Sequence, residues 1–138
     1  MSEQARTELA PGGVLRAGLN LSNFLLVSGK TEAGEPAGVA PDMAAEIARR
    51  LGAAVHYVTY KTPGELADAA ETGAWDIGLI GAEPQRAEKI AFSPAYVEIE
   101  ATYLVPAAGS VRVRPTPPMQ IGSGRWTGLG LFIAPVSR

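Results

Sequence analysis

The chain has 138 residues, 46% of them hydrophobic and 19% charged, with a formal charge of −2 at pH 7, which is ordinary for one globular domain able to bury a core. It has no cysteine, which excludes disulfides and thiolate metal sites, and no stretch long and apolar enough to span a membrane. All 14 acidic residues lie at or before Glu100, while Arg112, Arg114, Arg125 and Arg138 follow it; the acidity of the body argues against a nucleic-acid partner.

Residues 1–11 read as an N-terminal extension without the apolar segment of a secretory signal. After Pro11-Gly12-Gly13, residues 14–19 form a short apolar strand. The loop that follows offers Asn20, Ser22, Asn23 and Phe24. The amides of Asn20 and Asn23 either meet a ligand or bond their own turn; Phe24, which precedes Leu25-Leu26-Val27, reads as core. Residues 29–36 are polar and glycine-bearing, as a hairpin loop requires.

Asp42 is expected to cap a helix whose Met43, Ile47 and Leu51 repeat on one face, with Arg49 and Arg50 in water and Gly52 as its stop. Residues 54–60 are rich in Val and Tyr and form the next strand; His56 within it reads as packed or solvent-facing. Thr62-Pro63-Gly64-Glu65 is a capping box with proline at the first helical position, so a second helix runs to Gly73. Trp75 anchors that helix to the sheet, and residues 76–80 are the third strand. Two βα units of this length imply parallel neighbours with right-handed crossovers. The expected fold is α/β, a three-layer open sheet, with its ligand edge at the loops 20–24, 61–63 and 81–86.

Residues 73–96 carry the most functional information. A helix ends at Gly73, a buried strand follows, and a small-residue turn at Gly81-Ala82 leads through Glu83 and Pro84 to Arg86. Pro84 suits the first helical position, so Arg86 falls in the first turn, where the helix dipole disfavours a cation. One reading makes Arg86 a clamp for a ligand carboxylate, helped by N–H groups near Gly81 and Ala82. The other pairs Arg86 with Glu83 or Glu88, or leaves it in solvent. The sequence contains no Ser/His/Asp set, metal-ligand cluster or phosphate-binding glycine loop, and no cofactor is expected.

Gly73, Asp76, Arg86, Phe92, Ser93 and Tyr96 follow one another in an order that resembles the first lobe of the family 3 extracellular solute-binding proteins, the amino-acid receptors of ABC importers. Residues 14–18 are similar to that family's opening strand. Residues 38–52 are similar to its helix start, with Val39 replacing an aromatic residue and Ala40 an aspartate. The resemblance covers residues 12–108. It implies a single lobe of a periplasmic-binding-protein-like fold, an amino acid or related small-molecule ligand, and Arg86 as the residue that takes the α-carboxylate. It also implies an ABC permease as partner and a periplasmic or extracellular location; a native start at Met1 would instead leave the chain in the cytoplasm.

The departures from the family matter as much. Asn20 and Asn23 stand where many members carry an acidic residue and an aromatic, which implies a ligand less cationic than a basic amino acid. The stretch between Asp76 and Arg86 is short, and Glu83 replaces a Ser/Thr-type turn residue. Solute-binding scaffolds also resemble prephenate or arogenate dehydratases, and Glu83 is the carboxylate such an enzyme would use.

Residues 109–138 are a Pro/Gly/Arg-rich tail without helical periodicity and without resemblance to the family's second lobe. A truncated or frame-shifted gene is one source of such a junction, a divergent tail the other. With no second lobe to cover the first, a homodimer is expected, formed by exchange of apolar strands at residues 101–106 or 129–134. The alternative is a monomer whose tail returns to its own sheet.

Overall fold

The computed structural model describes residues 2–97 and the backbone of residues 129–133. A short helix, α1 (Glu3–Leu9), and a 3-10 turn precede strand β1 (Val14–Asn20). A two-stranded hairpin, β2 (Gly29–Lys30) and β3 (Pro36–Ala37), leads into α2 (Val39–Leu51) and β4 (Ala54–Tyr60). Then come α3 (Pro63–Asp68), a 3-10 turn over Ala69–Thr72, β5 (Ile77–Gly81), the single-turn helix α4 (Pro84–Ala87), β6 (Ala91–Val97) and β7 (Leu129–Ile133).

The main sheet has the order β4-β1-β5-β7-β6. Its first three strands are parallel, joined by the two βα crossovers read from the sequence, with Val14 opposite Ala54 and Gly18 opposite Gly78. This is the α/β class expected. Strand β7 is antiparallel to both neighbours, with Leu79 opposite Leu131 and Phe92 opposite Phe132. The apolar run of the tail therefore pairs inside its own chain, in the position expected to drive exchange with a second one. The expected strand at residues 101–106 lies outside the described residues. Pro94 is accommodated in β6, an edge strand with register shifts on either side of Ala95.

Strand alternation distributes the core over both faces of the sheet. Leu15, Ala17 and Leu19 of β1, with Ile77 and Leu79 of β5, pack against Ala44, Ala48 and Leu51 of α2. On the other face Ile80 joins Leu66, Trp75 and Ile90. Strand β5 is buried at four of its five residues, as a strand covered on both sides must be.

Two starting points of helices show how local signals fared. Thr62 Oγ1 accepts from the Glu65 N–H at 3.2 Å, and Glu65 reaches back to the Lys61 N–H at 3.0 Å. The capping box is thus formed, with its return bond one residue earlier than the usual pattern. Asp42, in contrast, does not cap. Helix α2 begins three residues before it, with Gly38 as N-cap and no side-chain cap bond. Gly38 has φ 132°, and a Cβ there would lie 2.5 Å from the Leu26 carbonyl oxygen, so the hairpin's packing sets the start. The earlier start also rotates the buried face: Ala44 and Ala48 are buried with Leu51, while Met43 and Ile47 are only partly covered.

Trp75 is 1% exposed and its indole N–H donates to the Leu66 carbonyl at 3.2 Å, which fixes α3 over the sheet as expected. The approach is close enough that Gly18 has no room for a side chain. A Cβ would fall 2.5 Å from Leu66 Cδ1 and 3.1 Å from the Trp75 ring.

These contacts generate two predictions. Thr62→Ala should cost about 1 kcal/mol in urea melts, with an unchanged midpoint as the contrary result. Gly18→Ala should cost about 1 to 3 kcal/mol through overpacking, and the near-ultraviolet signal of Trp75 should change with it.

Candidate functional site

Asp76 sets the geometry of the functional edge. It is 1% exposed, and its carboxylate accepts from the Arg16 backbone N–H at 2.8 Å, from Arg16 Nε at 3.1 Å and from Nη2 at 2.6 Å. Arg16 Nη1 donates to the Gly73 carbonyl at 2.7 Å. One ion pair thus fastens β1, the start of β5 and the end of the preceding 3-10 turn. The hydrogen bonds that Arg16 donates to Asp76 raise its pKa above the ordinary value, against a smaller opposing effect of burial. Asp76 is therefore a structural residue.

From this anchor β5 runs to Gly81, and only Ala82 and Glu83 separate it from α4. Pro84 occupies the first turn of α4, as read, and Arg86 lies within that turn. With so short a connection the Arg86 side chain folds back over the strand end. Its Nη1 donates to the Gly81 carbonyl at 3.0 Å and lies 3.2 Å from Glu83 Oε1. Gly81 therefore contributes a carbonyl here, and it is the register partner of Leu129; Ala82 is a half-buried turn residue. Helix α4 is a single turn, too short for a substantial dipole, which leaves the guanidinium as the fixed positive charge.

The Arg86 side chain is only 16% exposed. Its Nε and Nη2 have no polar partner among the described residues. That pair of nitrogens is one complete edge of the guanidinium fork, the geometry that binds a carboxylate through two parallel hydrogen bonds. Arg86 borders an open cleft of about 530 Å³ between α3 and α4, lined also by Asp68, Glu71, Glu83, Lys89 and Ile90. Lys89 pairs with Glu71 at 3.1 Å and Arg86 with Glu83. Asp68 forms no ion pair among the described residues, so the cleft carries a surplus of negative charge.

The other expected ligand residues are placed differently. Asn20 ends β1 and its Oδ1 accepts from the Ser22 N–H at 3.0 Å and the Ser22 hydroxyl at 2.8 Å. Asn23 receives bonds at its carbonyl from Leu26 and Val27. The Asn20 side chain thus bonds its own turn, while at Asn23 it is the backbone carbonyl that accepts. Neither borders the cleft around Arg86. Phe24, expected in the core, is 76% exposed, with Leu25 54% and Leu21 40% exposed beside it. The turn bonds of residues 20–27 bury Leu26 in its place.

Asp68, Glu71 and Lys89 were not singled out from the sequence. The available signal was the i,i+3 spacing of Arg86 and Lys89, although α4 ends at Ala87 and Lys89 lies in the turn after it; nothing local placed either against α3. Among the described residues no three metal-ligating side chains come together, and no helix is long and apolar enough to cross a membrane.

The chain matches the bacterial extracellular solute-binding proteins, family 3, over residues 22–127. It belongs to that family. Its fold is similar to domain 1 of TmArgBP, solved as a point variant in an arginine-bound form, at 27% identity and TM-score 0.64, covering 94% of this chain and 84% of that one. It is also similar to an ancestral cationic amino acid solute-binding protein, AncCDT-1, at 29% identity and TM-score 0.59, covering 68% of this chain. An ancestral cyclohexadienyl dehydratase, AncCDT-3, matches at 25% identity and TM-score 0.59 over 71% of this chain. The chain spans 41% of the length of each of these last two. None of the curated proteins matches it.

If Asp76 holds this edge together, Asp76→Asn should lower stability by about 2 to 3 kcal/mol, because a buried carboxylate that accepts three hydrogen bonds gives way to a neutral amide whose NH2 group meets the donors of Arg16. Equal denaturant midpoints for variant and wild type would contradict that role.

Proposed function

We propose that this chain captures the carboxylate of an amino acid on the free edge of Arg86, as the ligand-binding lobe of an ABC importer's receptor. The observation that carries the reading is the guanidinium itself: held by the Gly81 carbonyl, mostly buried at the border of the cleft, and with Nε and Nη2 lacking a partner among the described residues. Glu83 meets the charge at Nη1, but two donors on the opposite edge still call for an acceptor, and a planar fork favours a carboxylate.

Asp68 adds a preference. A carboxylate without an ion-pair partner among the described residues, bordering the same cleft, favours a ligand with a cationic side chain. This differs from the less cationic ligand implied by Asn20 and Asn23, which lie outside that cleft. The relatives described as binding arginine or cationic amino acids support the same choice, and L-arginine is the first ligand to test. The family's extracellular character supports a periplasmic or extracellular site of action.

An enzyme on the same fold is the second reading, favoured by the cyclohexadienyl dehydratase among the similar structures. Glu83 would be its acid. Turnover of prephenate by the chain, lost in Glu83→Gln, would establish it.

Calorimetric titration with L-arginine tests the binding reading. Arg86→Ala should weaken binding by about 2 to 4 kcal/mol without unfolding the chain. Arg86→Lys should recover part of the loss, since a point charge replaces the fork. Equal affinity in Arg86→Ala and wild type would remove the clamp.

A further inference from the structure

Strand β4 is one edge of the main sheet, and among the described residues it pairs only with β1. That pairing runs without a bulge from Val14 opposite Ala54 to Asn20 opposite Tyr60. The strand, Ala-Val-His-Tyr-Val-Thr-Tyr, contains no proline, glycine, lysine, arginine, aspartate or glutamate. The other edge, β6, differs: Pro94 lies within it, and its register shifts on either side of Ala95. Such features keep an edge from pairing with another chain, and β4 has none of them.

The polar groups of that edge can be assigned to sides. The Leu21 N–H donates to the Tyr60 carbonyl at 2.9 Å, so Tyr60 turns its backbone groups toward β1. Successive residues of a strand turn theirs to alternate sides. Val55, Tyr57 and Thr59 therefore direct N–H and C=O away from β1, and among the described residues none of them makes a backbone bond outside the ladder. Val55 and Tyr57 are half-buried against the α2 side of the core, and the Tyr57 hydroxyl donates to the Pro41 carbonyl at 3.2 Å, which holds the centre of the edge in place.

We propose that β4 is the docking edge for a second copy of this chain, with the two β4 strands antiparallel about a two-fold axis through Tyr57. The strand's own order selects that occupant. In this register Tyr57 meets its equivalent, Val55 meets Thr59 of the second copy, His56 meets Val58 and Ala54 meets Tyr60. Val55, Tyr57 and Thr59 fall at hydrogen-bonded pairs, where each residue exchanges both of its bonds, so every outward group is used. The central aromatic pair stabilises adjacent strands, and a β-branched residue opposite another, or alanine opposite tyrosine, fits without crowding. Moving the axis off Tyr57 leaves part of each strand opposite residues beyond β4. The pairing also closes on itself: the edges of the joined sheet are then both β6, whose proline and register shifts resist further addition, so assembly stops at a dimer. None of the residues that line the cleft beside Arg86 belongs to β4, so the dimer does not depend on how the ligand is held.

Sedimentation equilibrium and amide hydrogen exchange on the whole chain test this. The mass should rise from that of one chain toward that of two between about 1 μM and about 1 mM, the range of a small interface. Across that range the amides of Val55, Tyr57 and Thr59 should slow at least about tenfold in exchange, while those of His56 and Val58, already bonded to β1, should be protected at both ends. Thr59→Pro removes an outward donor and spares the bonds to β1; it should weaken association at least about tenfold, with a thermal melt establishing that it folds. Thr59→Lys, which places a charge on the edge, should act in the same direction. A wild-type mass of one chain at about 1 mM overturns the proposal. So does a dimer whose outward amides exchange as they do in the monomer, which would assign the contact to another surface, and so does association of the folded Thr59→Pro and Thr59→Lys chains equal to wild type.

Discussion

A buried carboxylate must be paired or it becomes a liability, and Asp76 meets that constraint by spending both oxygens on Arg16. The pair lies at the start of β5 and reaches across to β1 and Gly73. Because β5 is only five residues long, fixing the residue before it also fixes where it ends. The turn at Ala82 and Glu83 then has little freedom, and Arg86 inherits its position over Gly81 from a salt bridge at the opposite end of the strand. Positioning of this kind, by packing and ion pairs away from the ligand, is what holds a binding side chain ready for its partner.

What could be read from the sequence was local. The Thr62 and Glu65 spacing located a helix start, Trp75 an anchor, and the alternation of strand and helix a parallel sheet flanked on both faces; each signal is carried by a residue type or a pattern within one segment of the chain. The misreadings share the opposite property. Asp42 has the chemistry of a cap, but Gly38 lies where only a residue without a side chain fits against the Leu26 carbonyl, and that contact belongs to the packed hairpin. Phe24 belongs to an apolar run whose buried member is Leu26, a choice made by turn bonds from Asn23. In the site, the spacing from Pro84 to Arg86 was legible. The cleft was not, since it needs α3 and α4 brought together by Trp75, Leu66 and Ile90.

The two-residue turn before α4 has the widest effect on the site. It brings a carboxylate and a guanidinium into contact at a strand end and turns the arginine toward α3. The loop at residues 20–27 meanwhile closes on its own hydrogen bonds and shows apolar side chains at the end of β1. The sheet edge that resembles the family's ligand edge and the cleft that holds the charges are thus separate surfaces of one lobe.

The place of β7 in the sheet has a consequence for how the chain is made. Strands β5 and β6 are separated in sequence by ten residues or fewer, yet neither pairs with the other; both wait for a strand that ends at Ile133. During vectorial synthesis β4, β1 and β5 can associate early, each from a neighbouring βα unit. The outer edge of β5, a strand buried at four of its five residues, stays open until residues 129–133 have left the ribosome. Long-range closure is slow to form, and an unpaired apolar edge is the state in which nascent chains find wrong partners. A ribosome that stalls within the tail would therefore release a chain with its parallel strands assembled and a sticky seam where the last strand belongs.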